Sequence, residues 1–196
     1  MSSFRWRTVD IVVASIIAVA FGVIFWAWGL LWVGPWAAAF TFFPPAAALI
    51  NGVWFVPAVL APLIIRKPGA ALFSETVAAL VSALLGSPWG WIVLWQAVLQ
   101  GLAGEAAFGL YRYRRFGVGP AMLAGALAGA AASAVDILAN PYGVGDYSTN
   151  WQIAYTLCQI LSGAVIAGLG SVALTKALSG TGVLDRFPSG RTRELV

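Results

Sequence analysis

Three carboxylates, Glu75, Glu105 and Asp136, stand alone inside long apolar runs of this 196-residue chain. A charge at the centre of a membrane helix costs about 2.5–3.5 kcal/mol, so each needs a partner, a cavity or a ligand. A carboxylate in such a place can accept hydrogen bonds or hold a cation. Polar side chains accompany them at helical spacing. Gln96 and Gln100 lie one turn apart, Ser133, Asp136 and Asn140 align, and Tyr155 aligns with Gln159 and Ser162. Interhelical hydrogen bonding, about 0.6 kcal/mol each, is the plainer explanation for any one stripe. Three facing stripes together favour a ligand site.

Catalytic sets are missing. The chain has no His and a single cysteine, Cys158, which excludes an intramolecular disulfide and a cysteine-based zinc cage. There is no G-x-x-x-x-G-K-[ST] for ATP, no H-E-x-x-H and no G-x-S-x-G. No enzyme, metal site or resident cofactor is expected.

The elements that position these residues are membrane helices. The composition is 61% hydrophobic and only 9% charged, with mean hydropathy +0.88. A soluble surface needs about 25% charged residues. No Asp, Glu, Lys or Arg occurs from Ile11 to Ile65, more than two spans of ~20 residues. The pattern predicts an all-α polytopic bundle of six transmembrane helices in one domain, 1–196. The helices are expected at about 8–30, 46–65, 70–85, 91–113, 119–138 and 151–178, with a polar tail at 179–196. The third is short, since sixteen residues rise only about 24 Å against a core of ~30 Å. All eleven Lys and Arg fall in alternate gaps between the runs. Six spans gather them on one side, and the positive-inside rule makes that side, with both termini, cytoplasmic. Anionic lipid headgroups explain the net charge of +4 better than nucleic acid does.

With that threading, nine of the ten tryptophans, all but Trp6, lie towards the outside. An interfacial belt explains them, although belts normally form at both faces. An outward aromatic pocket, with Trp32, Trp54 and Trp95 among its walls, explains them equally. Asp136 lies near the outer end of its helix. Glu75 and Glu105 lie deeper, where pairing of Glu105 with Arg112 or Arg66 is a structural alternative to ligand contact. Ala14, Ala18 and Gly22 form a small-residue stripe, as do Gly125 with Gly129 and Gly163 with Ala167. Such stripes pack helices within a bundle or dock a partner.

The runs Arg66-Lys-Pro-Gly-Ala-Ala-Leu-Phe-Ser-Glu75, Gln100-Gly-Leu-Ala-Gly-Glu105 and Ser162-Gly-Ala-Val-Ile-Ala-Gly168 carry a resemblance. Over about residues 6–185 the chain resembles the YkoE family, substrate-binding S components of energy-coupling factor (ECF) vitamin transporters. The resemblance implies six helices, an outward pocket capped by loops, and thiamine or its hydroxymethylpyrimidine precursor as ligand. It implies a transmembrane T component and cytoplasmic ATPases as partners in a bacterial plasma membrane. It also implies that Ala14-x-x-x-Ala18 is the docking element for the T component. Thiamine joins a cationic thiazolium to a flat aminopyrimidine, which suits carboxylates, amides and aromatic faces. The expected binding residues are Glu75, Gln96, Gln100, Glu105, Asp136, Tyr155, Gln159, Trp32, Trp54 and Trp95. Two other classes stay open: a secondary transporter or channel using Glu75 and Glu105 as a cation or proton relay, and a scaffold subunit without ligand.

Overall fold

The computed structural model describes residues 4–187, 189 and 190. Among them the regular elements are all helical. We label the long ones α1 (Thr8–Leu31), α2 (Pro44–Ile65), α3 (Ala70–Leu84), α4 (Ile92–Leu110), α5 (Val118–Leu138) and α6 (Thr149–Gly180). By length and composition five could cross a membrane, and α3 is the shorter apolar sixth. At 15 residues α3 rises only about 22 Å. It packs between α1, α2 and α4.

α2 is the central helix. Its second half, Val56–Ile65, is buried at every position. Its first half, Pro44–Phe55, is wound as a 3₁₀ helix starting on two prolines. So long a 3₁₀ run is uncommon and needs support. Ser162 of α6 supplies it: its hydroxyl accepts from Gly52 N at 2.8 Å and donates to Leu49 O at 2.7 Å. Gly52 is needed there, since a Cβ would overlap the Ser162 carbonyl. Beyond Ser162, α6 widens into a π-turn at Gly163–Leu169. Gly163 and Gly125 then bring the backbones of α6 and α5 into direct contact, where a Cβ on either would strike the other's carbonyl.

Local chemistry sets the helix ends. α4 stops at Leu110, short of the expected 113, because Arg112 and Tyr113 turn left-handed at φ 53° and 52°. The α2–α3 turn uses Arg66 at φ 58° and Gly69 at φ 87°. α1 continues through Trp32–Trp36 to a kink at Gly34.

The basic segments meet at one end of the bundle. Lys67 Nζ reaches Asp10 at 2.5 Å and Arg5 O at 2.7 Å, while Arg7 Nη2 holds the same carboxylate at 2.9 Å. Trp6 Nε1 donates to Pro68 O, and Phe4 packs edge-on against Tyr113. The tail is not simply polar. Leu184 and Phe187 enter the core beside Leu60 and Ile64, and Ser189 donates to Ile64 O. Apolar side chains such as Ile16, Leu84 and Leu138 turn outward and are exposed, as a lipid-facing surface requires. Arg191 and Arg193, expected on the basic side, lie outside the described residues.

Candidate functional site

A cavity of about 420 Å³ lies between the helices in the half away from the basic end. The 3₁₀ half of α2 contributes Asn51 and Trp54, α3 contributes Glu75 and Ser82, and α4 contributes Gln96 and Gln100. Asp136 comes from α5, Tyr155 and Gln159 from α6, and Trp32 from the end of α1. The α3–α4 and α5–α6 connections roof it with Trp89, Tyr142 and Tyr147.

Glu75 is fully buried. Ala58 stands just past the switch from 3₁₀ to α winding in α2. Its N–H donates to Glu75 Oε2 at 2.9 Å. Glu75 Oε1 is buried without a partner among the described residues. An acceptor left this way costs about 1–3 kcal/mol, more when charged, so it is suited to a ligand donor.

Asp136 sits in a network. Its Oδ1 accepts from Gln96 Nε2 at 2.6 Å, and its Oδ2 from Tyr155 OH at 2.8 Å and Gln159 Nε2 at 3.5 Å. Gln159 Oε1 accepts from Asn51 Nδ2, and Asn51 Oδ1 from Trp32 Nε1. Tyr142 OH donates to Gln96 Oε1 at 2.9 Å, tying the roof to the carboxylate. Burial and the Asp136 charge push the Tyr142 phenol above its ordinary range, so it remains a donor. The Trp89 ring lies edge-on to Tyr142 at 5.0 Å and to Trp32 at 5.8 Å, and Trp54 closes the group. A flat or cationic ligand fits this combination of ring faces over carboxylates and amides.

Eight expected residues thus share one cavity: Glu75, Gln96, Gln100, Asp136, Tyr155, Gln159, Trp32 and Trp54. Glu105 and Trp95 do not line it. Glu105 Oε1 accepts from Ala71 N at 2.7 Å and Leu72 N at 3.3 Å, capping α3, and its Oε2 takes the Tyr113 hydroxyl. No ion pair to Arg112 or Arg66 forms among the described residues; Arg66 instead lies over the Phe116 ring at 5.4 Å. Trp95 is 70% exposed because Trp91, Trp95 and Leu99 form the outer stripe of α4, off the Gln96–Gln100 face.

Ala14 and Ala18 need correcting as a docking element. Both are 0% exposed, packed inside the bundle where α1 meets α3, and Ser74 of α3 donates to Ala14 O at 3.5 Å. The stripe is occupied by the chain itself. Asn51, Trp89, Tyr142 and Tyr147 were not singled out as ligand residues from sequence. Asn51 interrupts an otherwise apolar run, and that was a usable signal. The two tyrosines reach the cavity only through the course of their loop.

Residues 9–131 match the family described as "ABC-type cobalt transport system, permease component". The chain is 36% identical over 189 residues to the "Putative HMP/thiamine permease protein YkoE" of Bacillus subtilis (strain 168), covering 95% of this chain and 91% of that one. A solved structure described as "Crystal structure of an S-component of ECF transporter" superposes with TM-score 0.89 at 35% identity, covering 97% of this chain and 94% of that one. The helical bundle, the cavity between its helices and these likenesses agree, and the chain belongs to the YkoE family of ECF-transporter S components, multi-pass membrane transport proteins rather than enzymes.

Proposed function

We propose that this chain is the substrate-binding subunit of an ATP-driven ECF vitamin importer. It takes thiamine or its hydroxymethylpyrimidine precursor from outside the cell, with both termini in the cytoplasm. A T component and ATPases then supply the energy for release inward. The observation that carries this is the unpartnered Glu75 Oε1 in a cavity that also holds Asp136 beneath an aromatic roof. An aminopyrimidine offers donors for such an acceptor, and a thiazolium offers a cation to the carboxylates and rings. Several lines support the orientation and the division of labour. The described basic residues gather at the end away from the cavity, and the chain lacks an ATP-binding motif of its own.

Cobalt, which the matched family's description names, suits the donors less well. The chain has no His, and the acids on the cavity wall are Glu75 and Asp136. A cation relay through Glu75 and Glu105 is also less favoured, since Glu105 is engaged in capping α3. The test is a titration of purified protein followed by tryptophan fluorescence, which the Trp32–Trp54–Trp89 group should report. Saturable quenching by thiamine or hydroxymethylpyrimidine, without partner subunits or a gradient, is expected. Absence of a response to both would sink the proposal.

A further inference from the structure

The distribution of charge around the cavity bears on which form of the ligand can enter. The acids on its wall, Glu75 and Asp136, are both at least 97% buried, and among the described residues no Lys or Arg lines it. The surrounding connections at this end carry Asp146 and no basic residue. Among the described residues, the Lys and Arg side chains lie at or near the opposite helix ends or in the terminal segments, at positions such as Arg66, Lys67 and Arg112. A phosphate inside the cavity, or projecting through its roof, would therefore meet negative charge without a counter-cation.

We infer that the site selects the unphosphorylated, cationic or neutral ligand and rejects its phosphate esters. This rests on the functional reading above and narrows it to one chemical class. A phosphate monoester carries about −1.5 to −2 charges at pH 7. It would sit near two buried carboxylates, where solvent screens little. The amino end of α4, at Ile92 and Val93 on the cavity wall, offers an opposing partial charge of roughly +0.5. That is smaller than either carboxylate. The neutral donors Gln96 and Tyr155 are already engaged with Asp136, and the one buried neutral donor left without a partner among the described lining residues, Trp89 Nε1, carries no charge to offset the two carboxylates.

The experiment compares thiamine with thiamine monophosphate, and hydroxymethylpyrimidine with its phosphate, on the full chain in detergent at low ionic strength. Each phosphate ester should bind at least ~10-fold more weakly than its parent, as expected for one uncompensated charge. Ser87→Lys, which places an ammonium on the cavity wall, should narrow that ratio several-fold. Asp136→Asn should narrow it as well, through a weaker parent and a less penalised ester. If a parent and its ester bind within about threefold of each other in the unmodified chain, the inference is overturned while the functional reading stands. An unchanged ratio in a folded Ser87→Lys variant would overturn the electrostatic basis. If neither parent binds, the functional reading falls and takes this inference with it.

Discussion

Glu75 and Glu105 look alike in the sequence and differ in what their second oxygen does. Both accept backbone N–H groups of a neighbouring helix, Glu105 at the start of α3, where free N–H groups and the helix dipole favour a carboxylate, and Glu75 at the 3₁₀-to-α switch of α2. Glu105 spends both oxygens on the protein, one on Ala71 and Leu72 and one on Tyr113. Glu75 spends one on Ala58 and keeps the other at the cavity. Glu105→Ala should therefore lower stability by about 1–2 kcal/mol, the usual loss on removing a cap. Thermal unfolding in detergent measures this, and ligand affinity of the folded fraction should stay within about threefold. A large loss of affinity with unchanged stability would place Glu105 at the ligand after all. Spacing and depth could not separate these two residues. The N–H groups that claim Glu105 belong to another helix, and that contact exists only once the bundle is packed.

At the scale of elements, close backbone approach shapes the site more than side-chain bulk does. Without a hydrophobic force between helices in lipid, packing and hydrogen bonds must hold them. Gly125 against Gly163, and Gly52 against Ser162, let α2, α5 and α6 meet closely enough to align Asn51, Asp136 and Gln159. The same logic governs α1. Ala14→Trp places an indole where Ala14 has no free space against α3, so both folded yield and ligand binding should collapse. Size-exclusion profile and titration together measure this. A well-folded variant that binds normally would show that the stripe is not internal packing. The periodicity of small residues was plain in the sequence; their occupant was not, because a stripe looks the same whether its neighbour is in cis or in trans. The 3₁₀ and π segments were equally hidden, since they arise from the α2–α6 contact at Ser162 rather than from local propensity.

Across the whole molecule, the described basic residues and the cavity stand at opposite ends. The alternation of basic gaps with apolar runs was sufficient to read the helices and their common end, because it depends only on chain order. The folded-back tail was missed, because Leu184 and Phe187 stand in a short stretch rich in Ser, Thr, Gly and charged residues, without a helical apolar period. The orientation can be tested in a Cys158→Ser background by labelling intact cells with an impermeant maleimide. Ser148→Cys, exposed near the cavity end, should react, and Lys176→Cys, exposed at the basic end, should not. The reverse pattern would invert the topology. The central claim is that ligand meets Glu75 in this cavity, and the most direct measurement is calorimetric titration of thiamine into the unmodified protein and into Glu75→Gln. Gln can still accept from Ala58 N but loses the charge, so affinity should fall at least ~10-fold, in line with 1.5–3 kcal/mol for a charged hydrogen bond. Equal affinity in the two proteins, with both folded, would contradict the account.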